Sequence, residues 1–346
     1  MVLNKKTGVL LVNLGTPKSP STSDVRVYLN EFLTDPRVID KPSGWIARQF
    51  LVRGIITPFR APNSAKSYKE IWTERGSPLK FYGEDLCESV QKLLDETSTD
   101  TYLVKLAMRY QQPDIESSLS ALRAAKVSRI IILPLFPQYA SASTGSVQQR
   151  VMEIVGKWQV VPDLRFIRDF YDDEGFLNAF AAIGNSHSPQ NYDHILFSFH
   201  GLPQRQMQAA DDCDYCLKTA DCCNKIVSEN QFCYSAQCHA TAHALAQKLN
   251  LPPHKYSISY QSRLGSDPWL LPYTIKTLEE LATKGIKKIL VFCPAFVADC
   301  LETIFEISEE YQIEFKKWGG EKLQLVESLN AHPQWVSAVC RMIINS

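Results

Sequence analysis

The sequence has no net charge and no long run of like charge. Its 37 Lys and Arg residues are balanced by 37 Asp and Glu residues. A protein that binds nucleic acid usually presents a strongly basic patch or carries a net positive charge. The balance therefore argues against nucleic acid as the main partner.

The sequence also lacks a membrane-spanning segment, because no stretch approaches the roughly 18 consecutive apolar residues that such a helix needs. An apolar stretch at residues 8–12 follows Lys5 and Lys6, but it is shorter than the apolar core of a signal peptide. We therefore expect a first strand there and a cytoplasmic protein. Disulfides are rare in a reducing compartment, so the ten cysteines are expected to include clustered metal ligands.

Common nucleotide-binding and hydrolase motifs are missing as well. No Gly-x-Gly-x-x-Gly opens a helix after a strand, and no glycine-rich loop ends in Gly-Lys-Ser or Gly-Lys-Thr. These absences disfavour ordinary dinucleotide and triphosphate sites. The chain also contains no Gly-x-Ser-x-Gly and no His-Glu-x-x-His, so hydrolase chemistry loses support.

Short apolar runs alternate with segments long enough for a helix, which is the pattern of a parallel sheet with crossover helices. The predicted strands are residues 8–15, 102–110, 129–137 and 164–170 in the first half, and 194–201, 255–261, 288–296 and 323–330 in the second. This repetition predicts an α/β fold of two doubly wound domains, each with a four-stranded parallel sheet flanked by helices.

The two halves are separated by a connection of small and polar residues within 172–192. We therefore expect an N-terminal half of residues 1–172 and a C-terminal half of residues 173–346. A last helix at 333–344 is expected to close the second half, because its apolar Trp335, Val336 and Val339 would pack it on the body of the protein.

Ligands of such sheets bind beyond the carboxyl ends of the strands, so the residues that follow each strand are the candidates for chemistry. His200 ends an apolar strand next to Gly201 and Pro203, where it could act as a base or a metal ligand. A hydrogen-bonded core histidine is the alternative.

Glu302 and Glu306 lie one helical turn apart among apolar neighbours. Partly buried acids become proton acceptors near neutral pH, whereas a solvated helix face is the plainer explanation of such a pair.

These strand ends closely resemble the ferrochelatases, enzymes that insert ferrous iron into a porphyrin. The resemblance covers nearly the whole chain in one order. Matching stretches are residues 13–17, 28–39, 71–79, 108–110, 198–203, 260–274 and 293–307. The resemblance implies two Rossmann-like, chelatase-type halves around a porphyrin cleft, in agreement with the strand pattern.

The resemblance implies a lyase of haem biosynthesis that metallates protoporphyrin IX, with coproporphyrin III as the alternative substrate. In this family His200 and Glu302 would face each other across the porphyrin. His200 would be a ligand of the substrate iron or a proton acceptor, and Glu302 its counterpart. Glu306 would continue an acidic path for protons or metal. Neutral imidazole and carboxylate suit ferrous iron as ligands.

The resemblance also implies residues that hold the porphyrin. Arg109 and Tyr110 match the cleft pair of the family and would hold the ring or its propionates, and Ser262 would contact a propionate. Aromatic candidates for packing on the macrocycle are Tyr139, Trp269 and Phe296. For each aromatic side chain, packing in the protein core is the alternative.

Residues 45–59 form an apolar stretch interrupted by Arg48 and Arg53. In the family this region is a lip at the porphyrin mouth that can touch a membrane. The resemblance therefore implies peripheral contact with the inner membrane face, and packing of an amphipathic helix on the body is the alternative.

A cysteine-rich segment at about 206–237 looks like an insertion into the common bacterial ferrochelatase pattern. Six of the ten cysteines lie in or just after it, namely Cys213, Cys216, Cys222, Cys223, Cys233 and Cys238. Such close spacing indicates a metal site. Some ferrochelatases carry a 2Fe-2S cluster, and this is the expected cofactor. A structural zinc site is the alternative, and unliganded thiols are the plainest explanation.

The expected cluster ligands are Cys213, Cys216, Cys222 and Cys223, with Cys233 as an alternative to one of the adjacent pair. Animal ferrochelatases use a C-terminal extension and one earlier cysteine. Here the chain ends at Ser346, and Ser141 occupies the place of the earlier cysteine. Any cluster is therefore expected to be held by the internal segment. Cys300 stands where animal forms have a histidine.

Two other classes of function stay open on the same fold. One is a protein that binds haem or a siderophore-like ligand without chemistry, and the other is an iron-sulfur sensor. The combination of His200 with Glu302 and Glu306 favours the enzyme, because a protein that only binds needs no proton acceptors.

Overall fold

The computed structural model describes residues 6–219, 221–265 and 267–346. They form two compact units. The first comprises Met1–Phe136, Ala140–Asp169 and Trp335–Ser346, and the second comprises Pro137–Tyr139 and Phe170–Gln334.

Each unit is built on a four-stranded parallel sheet. The first sheet has the order β2-β1-β3-β4, with β1 Thr7–Gly15, β2 Tyr102–Tyr110, β3 Arg129–Pro134 and β4 Asp163–Phe166. The second has the order β6-β5-β7-β8, with β5 His194–His200, β6 Tyr256–Gln261, β7 Lys288–Phe292 and β8 Lys322–Leu325. The predicted α/β fold with two four-stranded sheets is confirmed.

The central strands are apolar because both of their faces are covered. In β1, all four residues from Val9 to Val12 are fully buried, as expected for a parallel strand between two neighbours. β3 and β7 end several residues earlier than predicted, at Pro134 and Phe292. The chain leaves the sheet there to form loops at its carboxyl edge, which the apolar composition of these segments conceals.

Helices cover the sheets in both units. In the first half of the chain they are α1 Thr22–Leu33, α2 Trp45–Phe50, α3 Thr57–Ile71, α4 Pro78–Thr97, α5 Ile115–Ala124 and α6 Ser146–Val155. In the second half they are α7 Glu174–Ser186, α8 Gln204–Ala209, α9 Tyr234–Lys248, α10 Thr274–Thr283, α11 Gln312–Lys317 and α12 Pro333–Ile344. Two short 3-10 turns lie at Pro189–Asn191 and Pro253–Lys255.

Side-chain caps start several of these helices. Ser21 accepts from the backbone N–H of Asp24 at α1, and Asp173 accepts from that of Phe176 at α7. Each cap satisfies a donor that the first helical turn leaves without an intrahelical partner. None of the helices within the described ranges combines the length and apolar character that crossing a membrane requires.

Helix α12 belongs mainly to the first unit, although the sequence assigned it to the second half. Trp335, Val339 and Ile343 are buried, and the Cys340 thiol lies 3.7 Å from the carbonyl oxygen of Val90 in α4. The apolar face of the helix predicted that it packs on the protein, but amphipathicity does not specify which sheet it covers.

Three segments have the wider π-helical winding, namely Leu51–Ile56, Ser141–Gly145 and Leu301–Tyr311. The third contains Glu302 and Glu306 and continues directly into α11. Sequence periodicity predicted an ordinary α-helical turn between these two acids. π-helical insertions are rare and frequently lie at functional sites.

Candidate functional site

His200 is the last residue of β5 and is partly exposed at the carboxyl edge of the second sheet. Its Nδ1 lies 2.7 Å from the carbonyl oxygen of Gly201. Because a carbonyl oxygen can only accept, Nδ1 of the neutral ring carries the hydrogen. The lone pair is therefore on Nε2, which can accept a proton or bind a metal ion.

The turn after β5 depends on a glycine. The N–H of Gly201 donates to the carbonyl oxygen of Gln261 at 2.7 Å. A Cβ at this position would lie 3.0 Å from the carbonyl oxygens of Gln261 and Ser262 and 3.2 Å from the Trp269 ring. The absence of a side chain at residue 201 thus allows β5, β6 and the Trp269 loop to approach closely beside His200.

Aromatic side chains surround this edge. The Phe296 ring lies edge-on to the His200 ring, with 6.2 Å between centroids. Trp269 donates from Nε1 to the carbonyl oxygen of Leu264 at 3.1 Å, which fixes the orientation of its indole. Both side chains are partly exposed, so part of each ring surface is available to a flat ligand.

Glu302 lies at the start of the π-helical segment, in the same unit as His200. Gln261, the last residue of β6, donates from Nε2 to the carbonyl oxygen of Glu302 at 2.8 Å. Gln261 is itself held by the Ser198 hydroxyl, which donates to its Oε1 at 2.7 Å. Burial, and next the neighbouring Glu302 carboxylate, raise the pKa of the Cys300 thiol well above its usual value, so Cys300 stays protonated.

Glu306 is bound to residues that follow β6. The backbone N–H of Ser262 donates to Glu306 Oε1 at 3.0 Å, and the Ser262 hydroxyl donates to Oε2 at 2.6 Å. The Tyr311 hydroxyl donates to Oε1 at 2.6 Å. The Ser262 hydroxyl, predicted to contact a propionate, is thus engaged with Glu306.

Arg109 and Tyr110 lie at the carboxyl end of β2 in the first unit, and both bind Asp35. Arg109 Nη2 is 2.7 Å from Asp35 Oδ2, and the Tyr110 hydroxyl donates to the same oxygen at 2.8 Å. Ser146 also donates to it at 2.6 Å and accepts from Arg109 Nε at 2.7 Å. Tyr110 is 1% exposed, whereas the Arg109 side chain is 18% exposed. Arg109 is therefore the member of the pair that can reach a ligand directly.

Tyr139 and His200 are both held by the beginning of α9. The N–H of Tyr139 donates to Gln237 Oε1 at 2.7 Å, and the Tyr234 hydroxyl donates to the carbonyl oxygen of His200 at 2.8 Å. Tyr139 is partly exposed and Tyr234 is buried. Helix α9 therefore fixes the backbone at two of the predicted site residues.

The cysteine-rich segment brings several of its thiols together. Cys216 and Cys223 both hydrogen-bond to Cys233, and these bonds are the main cause of a strongly lowered pKa at Cys233. The sulfur of Cys222 lies 3.7 Å from that of Cys223. Cys213, one of the predicted ligands, is instead exposed. Cys233, which the sequence indicated only as an alternative to Cys222 or Cys223, thus lies at the centre of the converging thiols, whereas Cys213 lies at the surface.

No three or more His, Cys, Asp or Glu side chains in residues 6–219, 221–265 and 267–346 have the arrangement of a formed metal site. The chemistry of the converging thiols nevertheless fits a soft metal or a cluster, because thiolates are the ligands of zinc and iron-sulfur centres. Cys238, which follows the segment, is fully buried in α9, and burial raises its pKa well above the usual value.

Sequence reasoning assigned no role to Asp35, Tyr234 or Tyr311. Asp35 lies within a stretch that matches the ferrochelatases, so its acidic side chain after α1 was the available signal. The sequence contained no such signal for Tyr234 or Tyr311. Tyr234 follows a cysteine that drew attention to metal binding, and Tyr311 lies five residues after Glu306, outside the three- and four-residue spacings of an α-helix face.

Comparison with known proteins shows the family of this chain. Residues 6–346 match the ferrochelatase family. The ferrochelatase of Legionella pneumophila (strain Lens) is 43% identical over 340 residues, which cover 98% of this chain and 99% of that protein. The ferrochelatase of Coxiella burnetii (strain CbuK_Q154) is also 43% identical, over 341 residues that cover 98% of this chain and 93% of the relative.

Similarity to solved structures extends to the fold at much lower sequence identity. The structure of SirB from Bacillus subtilis with Fe3+ has a TM-score of 0.53 and 10% identity, and covers 98% of this chain and 95% of that chain. A sirohydrochlorin chelatase SirB from Bacillus subtilis subspecies spizizenii, in complex with cobalt, has a TM-score of 0.52 and 9% identity. With a family match over almost its whole length and two relatives at 43% identity, this chain belongs to the ferrochelatases, the metal chelatases of haem biosynthesis.

Proposed function

We propose that this ferrochelatase inserts ferrous iron into protoporphyrin IX, giving protohaem and two protons as the last step of haem biosynthesis. The observation that carries the assignment of the site is the hydrogen bond from His200 Nδ1 to the Gly201 carbonyl. It leaves Nε2 as the free lone pair at the edge of the sheet. Metallation needs such a group, because two pyrrole protons must leave as the metal ion enters.

In this proposal His200 Nε2 accepts a pyrrole proton or binds the incoming iron, and Glu302 is its counterpart. Glu306 continues the acidic path along the π-helical segment. Imidazole nitrogen and carboxylate oxygen are both suitable ligands for ferrous iron on its way to the ring. The partial exposure of His200, Glu302 and Glu306 supports their access to a substrate.

Porphyrin contacts are proposed for the residues that the family resemblance singled out. Arg109 would pair with a propionate, and Tyr110 would support it through their shared partner Asp35. The rings of Tyr139, Trp269 and Phe296 would pack against the macrocycle. Ser262 would act on the substrate indirectly, since its hydroxyl is bound to Glu306.

The activity is tested by mixing the anaerobic protein with ferrous iron and either protoporphyrin IX or coproporphyrin III, and following the porphyrin absorption bands. We expect the protoporphyrin bands to collapse into those of protohaem at the higher kcat/KM. Preferential metallation of coproporphyrin III would replace the proposed substrate. Tight haem binding with no metallation of either porphyrin would favour a haem-binding protein and contradict the enzymatic proposal.

We also propose that the cysteine-rich segment holds a 2Fe-2S cluster through Cys216, Cys222, Cys223 and Cys233. The proposal is supported by the hydrogen bonds from Cys216 and Cys223 to Cys233 and by the 3.7 Å separation between the sulfurs of Cys222 and Cys223. When bound, such a cluster supplies one-electron redox chemistry. Asp211 shapes the first part of the segment by accepting from the backbone N–H groups of Cys213 and Cys216.

The cluster is tested on protein isolated without oxygen, by visible absorption together with iron, acid-labile sulfide and zinc content. A brown protein with about two iron and two sulfide per chain, bleached by dithionite, is the expected result. A colourless protein with one zinc per chain would establish the structural zinc site instead. A protein isolated without iron, sulfide or zinc would contradict both forms of metal site.

Finally, we propose that residues 45–59 make the peripheral membrane contact that the family resemblance implies for a cytoplasmic ferrochelatase. The support is the exposure of Trp45, Ile46, Phe50 and Phe59, which are 68%, 75%, 70% and 78% exposed. Together they form an apolar surface on the continuous helix of α2, the π-helical segment and α3. Flotation with anionic phospholipid vesicles should recover the wild type but not a Phe50→Ser/Phe59→Ser variant. Equal recovery of both would contradict the contact.

A further inference from the structure

Glu306 is held by three hydrogen bonds from Ser262 and Tyr311, and Gln261 adds a longer one. Ser262 contributes its backbone N–H to Oε1 and its hydroxyl to Oε2, and Tyr311 contributes its hydroxyl to Oε1, with donor-acceptor distances of 3.0, 2.6 and 2.6 Å. Both carboxylate oxygens are therefore engaged. A carboxylate with donors on both oxygens cannot rotate about its last bond without losing at least one of them.

Ser262 reaches Glu306 because its backbone adopts an uncommon conformation. Its φ is +60°, in the left-handed region that non-glycine residues seldom occupy. This conformation immediately follows β6, and the backbone N–H and the hydroxyl of Ser262 both bond to the same carboxylate. Backbone strain of this kind persists where the surrounding structure fixes it and clusters at functional sites.

Tyr311 reaches Glu306 because the intervening helix is π-helical. The two residues are five positions apart, which matches the i to i+5 hydrogen-bonding pattern of a π-helix. Tyr311 is 8% exposed. Burial, and next the Glu306 charge, raise its pKa well above the usual value. Its hydroxyl therefore remains protonated, and able to donate, at neutral pH.

Gln261 connects the same carboxylate to the rest of the site. Its Nε2 donates to the carbonyl oxygen of Glu302 at 2.8 Å and lies 3.4 Å from Glu306 Oε2. The position of the Glu306 carboxylate is thereby linked to the backbone of Glu302 and to the end of β6.

We infer that Ser262 and Tyr311 are positioning residues for metallation, which act by holding the Glu306 carboxylate in one orientation. The inference rests on the proposed role of Glu306 in the acidic path. A carboxylate that receives a proton or a metal ion works best when its oxygens are fixed before the substrate arrives. Neither positioning residue needs to touch the porphyrin or the iron.

The test is a double-mutant cycle of Tyr311→Phe and Glu306→Gln, read as kcat and as KM for ferrous iron in the anaerobic assay. Each single variant is expected to lose about tenfold in kcat/KM for iron. If Tyr311 acts through Glu306, adding Tyr311→Phe to Glu306→Gln causes little further loss. Independent losses that multiply to about 100-fold would overturn the inference.

A second cycle with Ser262→Ala and Glu306→Gln keeps the inference testable if Tyr311→Phe folds poorly. Ser262→Gly separates the two features of Ser262, because glycine relieves the left-handed backbone but also lacks the hydroxyl. We expect Ser262→Ala and Ser262→Gly to lose activity to a similar extent. Full activity of Ser262→Gly would assign the effect of Ser262→Ala to backbone strain and overturn the role of the hydroxyl.

Tyr192→Phe is the matched control. Tyr192 is another buried tyrosine of the second unit, 8% exposed, and its hydroxyl accepts from Lys322 at 3.4 Å. The control should leave both kinetic constants unchanged.

A wild type without chelatase activity would overturn the proposed function, and a fully active Glu306→Gln would overturn the role of Glu306. If the wild type is active and Glu306→Gln is impaired, but the losses of the single variants multiply in the double variant, only the positioning role is overturned.

Discussion

The Tyr234 hydroxyl donates a hydrogen bond of 2.8 Å to the carbonyl oxygen of His200. Tyr234 is the first residue of α9 and directly follows Cys233, so one buried side chain connects the cysteine-rich segment to the strand end that carries the candidate catalytic imidazole. The neighbouring Ser235 adds a 2.7 Å hydrogen bond to the Tyr260 hydroxyl of β6. The start of α9 is thereby attached to two adjacent strands of the second sheet.

Tyr234→Phe is expected to slow iron insertion several-fold, because it removes the hydrogen bond that fixes the backbone at His200. It should also lower the free energy of unfolding by about 1 kcal/mol, as expected for one neutral hydrogen bond. Tyr260→Phe is the control, since it removes a buried hydroxyl of the same kind without touching His200. Equal slowing in both variants would indicate a general effect on stability and contradict a specific effect on His200.

Asp35→Asn is expected to destabilise the first unit by about 3 kcal/mol, measured by urea denaturation. The substitution removes the charge opposite Arg109 and leaves a guanidinium that is mostly buried without its counterion. Tyr110 and Ser146 lose their charged acceptor in the same change.

Asp85→Asn is the matched control for this change, because Asp85 pairs with Arg75 on the surface. Screening by water makes such an exposed pair a minor contributor to stability, so the denaturation curve should barely move. If the two variants were equally stable, the Asp35 network would not hold the carboxyl end of β2.

The lowered pKa of the buried His194 side chain leads us to expect a loss of stability in mild acid. Burial, with a smaller effect of Lys255 and then Lys284, lowers its pKa to about 4 from an ordinary value of 6.5. The unfolded chain therefore takes up a proton at this residue between about pH 6.5 and 4 while the folded chain does not. Stability is complete above pH 6.5 and falls through this window as the pH decreases, with a slope of at most about 1.4 kcal/mol per pH unit from this group.

His194→Gln should flatten this part of the stability curve, since glutamine can still bond to Ser257, which lies 2.9 Å from His194 Nε2. Substitution of the exposed His254 by glutamine serves as the control and should leave the curve unchanged. An unchanged slope in His194→Gln would contradict the assignment.

The cysteine ligands are distinguished by comparing Cys233→Ser with Cys213→Ser. Cys233 lies at the centre of the converging thiols, whereas Cys213 is exposed. We expect Cys233→Ser to lose the visible absorption and the sulfide of the isolated protein, and Cys213→Ser to retain both. The reverse result would restore Cys213 as a ligand and remove Cys233.

Much of the architecture could be predicted because buried parallel strands consist of short apolar runs, which are visible in the sequence. The run at Val9–Val12 and the position of His200 at the end of β5 are both direct consequences of that pattern. The family motifs then directed attention to Glu302 and Glu306. These features are local, so a single segment of sequence contains the information.

The hydrogen-bond network of the site could not be predicted in the same way. Asp35 meets Arg109 across 74 positions of chain, and Ser262 meets Glu306 across 44, so no local pattern connects them. The π-helical winding that brings Tyr311 to Glu306 leaves no trace in a 3.6-residue periodicity. The thiol at the centre of the cysteine segment depends on how the loop folds back to the start of α9, which spacing alone does not determine.

The central claim is that His200 carries out metallation in a protein that uses protoporphyrin IX. The most direct measurement is the anaerobic rate of iron insertion into protoporphyrin IX by the wild type and by His200→Ala, with circular dichroism to verify that the variant is folded. The account predicts rapid conversion by the wild type and nearly none by a folded His200→Ala. A folded variant that metallates protoporphyrin at the wild-type rate would contradict it.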